Sequence, residues 1–424
     1  MDKKIYMKDP SPDVKDGAIV QVRKSLYGAK QAAFLWNDDL NREMTKLGFR
    51  RSPADPCCYL RGHGEEIMIV LIYVDDLVVM AKQQTAVNAF KSDIMKKYKM
   101  EDKGPIYQFL GMKIDYDAKK RTVKLSQKRY TESLLKRFGM KDSKPVGTPA
   151  DSSLQLIELA PARGHQNRED SEIIDEEDFV AGSSANSSSS AAEVKDPATV
   201  PTDITRYRQI VGSLMHLAVA TRPDIAFAVN VVARYMANPS KAHLVAAKRI
   251  FRYLRGTVDQ GLTLGGEDLV LIGYADADWA GELDGRRSTS GYVFYYGGPV
   301  TWMVQRQKTI ALSSTESEYY SLAEAGKEAI WLRSFLSALG VQTSSPTVIM
   351  DDNQGAIALA QNPVHHARTK HIDVKIHFIR DCIKNKVIEV QYVPIADQVA
   401  DIMTKALARP LFRKLSSELG IQSG

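Results

Sequence analysis

Two groups of acidic residues stand where acidic residues are costly. In LIYVDDLVVM, Leu71 to Met80, Asp75 and Asp76 interrupt an otherwise apolar run. Far downstream, Asp276 and Asp278 end the run LVLIGYADADW, Glu318 heads a helical apolar stripe, Asp352 ends TVIMDD, and Asp401 lies in the last helical stretch. Adjacent carboxylates repel one another, and a divalent cation removes that penalty. The simplest reading of Asp75-Asp76 by itself is a plain turn, yet Tyr-Val before it and Leu-Val-Val after it make a packed ribbon with acidic tips. Any single downstream carboxylate is an ordinary solvated charge, whereas four of them, carried in turn by a strand, a helix, a strand end and a terminal helix, can converge.

These residues need elements to hold them. Side chains alternate faces along a strand, so Asp75 and Asp76 share a side only where a hairpin tip breaks the alternation, and Asp tolerates the positive φ of tight hairpin turns. The pattern predicts a hairpin over 67–80, preceded by a helix ending near Gly48 and followed by a helix over 85–100, a hairpin over 109–125 and a short helix over 129–138. Residues 149–201 contain SSANSSSSAA and EIIDEED without sustained periodicity, the composition of a disordered acidic and Ser-rich linker. Three helices follow, over 207–220, 224–236 and 242–255, broken at Pro223 and Pro239. Beyond them come strands at LVLIGYADADW, GYVFYYGG and VTWMVQ, an edge-like KTIAL, a long helix over 314–339, the strand TVIMDD, helices over 353–360 and 371–384, the strand VIEVQYV and a last helix over 396–406. Strands first, then helices alternating with strands, imply a mixed sheet with helices packed on it. Glu318 aligns with Leu322, Ala325, Ala329, Leu332 and Leu336 and faces the sheet, with Glu316 and Glu324 on more polar faces; Asp278 shares the face of Asp276, and Asp351 points away from Asp352.

Charge narrows the partners. The 424 residues carry +6 overall, but residues 151–200 hold eleven acidic against three basic residues, leaving +14 on the rest, as phosphate binding requires. Cys57, Cys58 and Cys382 form no disulfide framework, and no apolar run spans a bilayer, so the expectation is a soluble intracellular protein without a signal peptide or membrane partner. His365, His366, His371 and His377 lack cysteines or a carboxylate at a zinc-ligand spacing; the stretch from His365 to Asp373 reads better as a basic approach to a duplex, with a solvated loop as the alternative.

Tyr73-Val74-Asp75-Asp76 resembles the active-site hairpin of reverse transcriptases, and Ser25-Leu26-Tyr27-Gly28-Ala29-Lys30-Gln31-Ala32 resembles a second motif in the form seen in copia-type LTR retrotransposons. Phe109-Leu110-Gly111-Met112 is similar to the hairpin that grips the primer end, and Ser213-Leu214-Met215 with Arg222-Pro223-Asp224-Ile225-Ala226-Phe227 is similar to that family's connecting helices. Tyr274-Ala275-Asp276-Ala277-Asp278-Trp279-Ala280-Gly281 and Ala311-Leu312-Ser313-Ser314-Thr315-Glu316-Ser317-Glu318-Tyr319 resemble its RNase H part. The chain departs from the pattern at Ala33-Phe34, where proline usually follows the Ala, and 392–397 lack the auxiliary His of other RNase H branches.

The resemblance implies an α+β and α/β multidomain chain: a partial reverse-transcriptase palm and thumb (1–148), the linker (149–201), a helical connection (202–265), an RNase H-like mixed sheet with flanking helices (266–412) and a tail (413–424). It implies two Mg²⁺ per active site, with Mn²⁺ as a substitute, held by Asp75 and Asp76 in one and by Asp276, Glu318, Asp352 and Asp401 in the other. Gly28, Lys30, Gln31 and His371 are then nucleotide or nucleic-acid contacts; Ser288, Thr289, Ser290 and Asn353 are candidate contacts to sugar or phosphate, with plain solvated side chains as the alternative. Partners are an RNA template with DNA primer and an RNA–DNA hybrid, in a cytoplasmic particle or the nucleus. A third palm carboxylate is expected upstream of residue 1, so upstream polyprotein is needed for DNA synthesis. The alternative is an inactive remnant that only binds nucleic-acid duplexes.

Overall fold

The structure, a computed structural model, describes residues 5–8, 18–22, 31–153, 156–157, 203–266, 269–361 and 373–423. Gly28, Lys30 and His371, and nearly all of the expected linker, lie outside them. By internal contacts the chain divides into two units, residues 1–106 with 328–345, and residues 107–327 with 346–424. The first division falls between Ile106 and Tyr107, not at the expected 148/149, because the hairpin that follows Tyr107 is built into a sheet of the second unit.

The first unit contains β1 (Ile5–Lys8) paired with β2 (Ile19–Val22), then α1 (Ala32–Lys46), β3 (Arg50–Arg51), β4 (Cys58–Arg61), β5 (Met68–Tyr73), β6 (Asp76–Ala81) and α2 (Gln84–Met95). Strands β3 to β6 form a four-stranded sheet in sequence order, antiparallel throughout. Met68, Val70 and Ile72 alternate inward along β5 and pack with Leu40 and Met44 of α1 and Phe90 and Ile94 of α2. That alternation is why the ribbon behind Asp75-Asp76 is rigid. Helix α2 stops at Met95, short of the expected residue 100.

The second unit opens with β7 (Gln108–Phe109), β8 (Met112–Asp117), β9 (Thr122–Ser126) and α3 (Lys128–Arg137). The connecting helices are α4 (Ile204–Ala220), α5 (Ala226–Ala233) and α6 (Lys241–Gly256), with a 3-10 turn at Pro223–Ile225. Then come β10 (Gln260–Gly265), β11 (Ile272–Asp278), β12 (Thr289–Tyr295), β13 (Pro299–Arg306), α7 (Ser314–Ala338, whose residues from 328 on count with the first unit), β14 (Thr347–Asp351), α8 (Gln354–Gln361), α9 (Asp373–Lys384), β15 (Ile388–Tyr392), α10 (Asp401–Thr404), α11 (Arg409–Glu418) and β16 (Ile421–Ser423). One sheet has the order β13-β12-β11-β14-β15, antiparallel on the β13 side and parallel from β11 to β15; the other runs β16-β10-β9-β8-β7.

Three expectations change. KTIAL is not a strand: the sheet ends at β13, Ile310 and Leu312 are exposed, and the Leu312 N–H donates to Glu316 at the head of α7. The last helix is not continuous over 396–406 but breaks at Gln398, whose amide Nε2 reaches Ala275 O at 2.9 Å while its Oε1 accepts from Ala400 N. Residues 413–424 are not a tail, because α11 buries Phe412 and Leu415 and β16 pairs with β10.

The connection and the mixed sheet also share one core. Tyr207, Leu214, Val232, Ile250 and Phe251 belong to the same buried cluster as Val293, Ile402, Met403, Phe412 and Leu415. Trp302 Nε1 donates to Ala218 O and Asn230 Nδ2 to Val304 O, tying α4 and α5 to β13. The Arg222-Pro223-Asp224 motif is a strut inside this core: a buried bidentate pair of Arg222 with Asp224 at 2.7 and 2.9 Å, with the Tyr253 hydroxyl donating to Asp224 Oδ2 at 2.7 Å and Arg222 also donating to Thr257. An isolated 266–412 fragment therefore exposes apolar surface that the connecting helices cover.

Candidate functional site

In the first unit the two hairpin carboxylates sit at a two-residue turn, Val74-Asp75, with Tyr73 paired opposite Asp76. The positive φ expected of an Asp belongs instead to Val74, at +56°, and Asp75 is not in that region. A β-branched residue there costs about 1–3 kcal/mol and persists only where its surroundings hold it. Trp36 Nε1 donates to Val74 O at 3.0 Å, and the paired arms of β5 and β6 enforce the rest. Asp75 and Asp76 are both exposed, and among the described residues no third metal-ligating side chain converges with them. Gln31 precedes α1, half-buried, its carbonyl accepting the N–H of Leu35.

The second unit assembles the other group. Asp276 comes from the middle of β11 and is completely buried, and Ser321 of α7 donates to its backbone carbonyl at 2.7 Å, pinning strand to helix. Glu318 projects from the first turns of α7, and Asp352 follows the end of β14, the parallel neighbour of β11. One ligand atom from each of Asp276, Glu318 and Asp352 lies within 4.8 Å of the others. Asp401 opens α10 and is linked to Asp276 by Lys405, whose Nζ donates to Asp401 Oδ1 at 2.8 Å and Asp276 Oδ1 at 3.2 Å. The Thr404 hydroxyl donates to the other oxygen of Asp276. This close approach of α10 to the sheet needs Gly291 on β12, where a Cβ would lie 2.6 Å from Met403 Cβ.

The electrostatics are those of an acidic cluster that Lys405 compensates only in part. Burial, then the charges of Asp276, Asp351 and Asp352, push Glu318 well above the usual carboxylate range, and its Oε2 is buried without a hydrogen-bond partner. Asp401 is pushed up to about 7 by burial and Asp276, with Lys405 opposing. Asp352 is raised by burial and by Asp276. Burial alone would lower Lys405, but Asp276 and Asp401 hold it protonated and raise it. An orphaned carboxylate oxygen beside two further carboxylates is a donor set of hard oxygens, which fits a divalent cation.

Other expected contacts fare unevenly. Ser288 is fully buried, its Oγ accepting from Ala280 N, so it does not face a nucleic acid. Thr289 and Ser290 are buried too, accepting from Arg234 and Gln307. Asn353 is half-buried and caps α8 by accepting from Ala356 N. Glu316 is not on a polar face but buried at the head of α7, its amide donating to Ser313 Oγ. Asp278 lies beside the cluster without joining it, raised mainly by burial. Lys405 was not among the expected site residues; its i+4 spacing from Asp401 was the available signal.

Comparison with known proteins covers both units. Residues 1–152 match the family model described as reverse transcriptase (RNA-dependent DNA polymerase). The chain is 38% identical over its full length to the Retrovirus-related Pol polyprotein from transposon TNT 1-94 of Nicotiana tabacum, and 36% identical over 98% of its length to that from transposon RE1 of Arabidopsis thaliana. It spans 30% and 26% of those relatives. It is 30% identical to the Putative transposon Ty5-1 protein YCL074W of Saccharomyces cerevisiae, covering 96% of that protein and 77% of this chain. Among solved structures, LC11-RNase H1 isolated from compost aligns at 16% identity with a TM-score of 0.26, over 32% of this chain and 93% of that one.

Proposed function

Because this chain belongs to the copia-type retrotransposon Pol polyproteins, as part of their C-terminal region, we propose that its second unit hydrolyses RNA in RNA–DNA hybrids and that its first unit carries part of an RNA-directed DNA polymerase site. The observation that carries the hydrolase reading is the convergence of Asp276, Glu318 and Asp352 with a buried, unpartnered oxygen on Glu318.

In this reading Asp276, Glu318, Asp352 and Asp401 hold two Mg²⁺, for which Mn²⁺ substitutes. When bound, the cations supply positive charge to a phosphodiester undergoing in-line displacement. The chain's own contribution is rigidity and charge. Asp276 is fixed from β11, from Ser321 and from Thr404, so it does not reorganise. Glu318 and Asp401, both raised by burial and by neighbouring carboxylates, hold protons to higher pH than ordinary carboxylates when no cation compensates them, and a bound cation would oppose that. Asn353, beside Asp352, and His371 are proposed contacts to the hybrid.

For synthesis, the exposed Asp75 and Asp76 approach a primer terminus from a rigid ribbon, with Gly28, Lys30 and Gln31 as proposed contacts to template or nucleotide. A two-metal polymerase site takes a further carboxylate, which we assign to upstream polyprotein; the chain without it binds duplex but does not extend a primer.

The test is cleavage of a labelled RNA–DNA hybrid by the full chain with Mg²⁺ or Mn²⁺, compared with Asp352→Asn. Metal-dependent cutting of the RNA strand by the wild type, lost in the variant, supports the reading. Cleavage undiminished in Asp276→Asn and Asp352→Asn overturns the site, and duplex binding without any cleavage favours the inactive remnant.

A further inference from the structure

On the reading that the buried cluster takes divalent cations, we propose that Lys405 is its resident counter-cation, and that its ammonium holds the Asp276–Asp401 side against loading by a second divalent cation.

The cluster is lopsided. On one side, both oxygens of Asp276 are engaged from a single stretch of chain, Oδ1 by Lys405 Nζ at 3.2 Å and Oδ2 by the Thr404 hydroxyl, and the same Nζ reaches Asp401 Oδ1 at 2.8 Å. On the other side, Glu318 Oε2 is buried with no partner and Asp352 is half-buried. One edge therefore carries an internal counter-charge and the other does not. A lysine ammonium and a divalent cation cannot share the oxygens of Asp276 and Asp401, since like charges at such separations repel strongly in a low-dielectric site. Lys405 is also free to leave: it follows the last residue of α10 in extended conformation, at φ −131° and ψ 150°, and its side chain is 33% exposed, so the flexible stem can swing the charge to water. The first cation thus enters beside Glu318 and Asp352, taking from Asp276 only the oxygen that Thr404 engages and leaving the lysine in place, and the second must displace the lysine.

The experiment counts cations on the full chain carrying Asp75→Asn and Asp76→Asn, so that the buried cluster alone is titrated. Calorimetry with Mn²⁺ is expected to show one site and a second at least tenfold weaker. Lys405→Met should tighten the second site by tenfold or more and lower the metal-free melting temperature. Adding Asp401→Asn to Lys405→Met should recover that melting temperature, because the charges are then balanced again. An unchanged or weakened second site in Lys405→Met overturns the inference. Should Lys405→Met fail to fold, acetylation by an amine-reactive ester, read by mass spectrometry on the chain with native Lys405, decides the matter. Labelling of Lys405 should rise several-fold as Mn²⁺ fills the second site, and labelling that stays flat to saturation overturns the inference. Absence of any Mn²⁺ binding would instead remove the metal reading itself.

Discussion

The two carboxylate groups solve the same electrostatic problem in opposite ways. Asp75 and Asp76 are neighbours in sequence, exposed at the tip of a hairpin, and water bears the cost of their repulsion. Asp276, Glu318, Asp352 and Asp401 come from four elements, are buried or half-buried, and their mutual repulsion is answered by retained protons and by Lys405. The exposed pair stores its strain in backbone, at Val74; the buried cluster stores it in charge. A local site is held by a turn, whereas a site gathered from afar is held by everything that packs around it.

The largest way to break that contrast is to remove one buried charge. Asp276→Asn or Asp352→Asn should lower hybrid cleavage by roughly three orders of magnitude or more, equivalent to about 4 kcal/mol of transition-state stabilisation. Each variant should at the same time raise the metal-free melting temperature of the second unit. Asp278→Asn, beside the cluster, should keep substantial activity.

Next in size is the strut beneath the site. Arg222→Met leaves Asp224 buried without its cation and should destabilise the second unit by about 3–5 kcal/mol in denaturant unfolding. The hairpin of Asp75 and Asp76 belongs to the first unit, so its transition should not move. Gly291→Ala should be milder, about 1–3 kcal/mol, the range for overpacking, and should weaken metal binding by pushing α10 and Asp401 off the sheet.

The pH dependence sharpens the comparison. Asp401 and Asp351 are pushed up to about 7, and Glu318 and Asp352 are raised, so the folded chain holds protons that the unfolded chain, with ordinary carboxylates near about 4, releases. Their contribution to stability is complete below about pH 4 and is lost as the pH rises through about 7. Lys405, raised, keeps its charge across that window and does not offset the trend. Relative to Asp401→Asn, the metal-free wild type should therefore lose melting temperature between about pH 4 and 7, and saturating Mn²⁺ should flatten the difference. The smallest expected effect is at the exposed site. Val74→Asn relieves a β-branched side chain from the left-handed region and should stabilise the first unit by about 1 kcal/mol.

Legibility in the sequence followed the same division. The hairpin was readable because its apolar alternation and its turn lie within one short stretch, although the strained residue proved to be Val74 and not an Asp. The carriers of the buried carboxylates were readable from periodicity: Glu318 at the head of an apolar stripe, Asp352 at a strand end. What escaped was everything set by partners distant in sequence. Ser288 looked like a surface hydroxyl and is packed under Ala280; Glu316 looked polar-facing and is buried against Leu312; Arg222 and Asp224 looked like a family mark and are a core ion pair. The break at Gln398 depends on Ala275 O, a carbonyl on another strand, which no local pattern announces.

Strand β16 pairs with β10 through Gln260↔Ser423, Gly261↔Gln422 and Leu262↔Ile421, while β10 pairs on its other side with β9. During synthesis, β9 and β10 leave the ribosome long before β16 exists. Until residues 421–423 emerge, the outer edge of β10 is an unpaired row of amides and carbonyls, open to any strand that meets it. The second unit thus keeps that edge open until β16 is made, and a nascent chain stalled before Ile421 presents a template for mispairing with its neighbours on the same message.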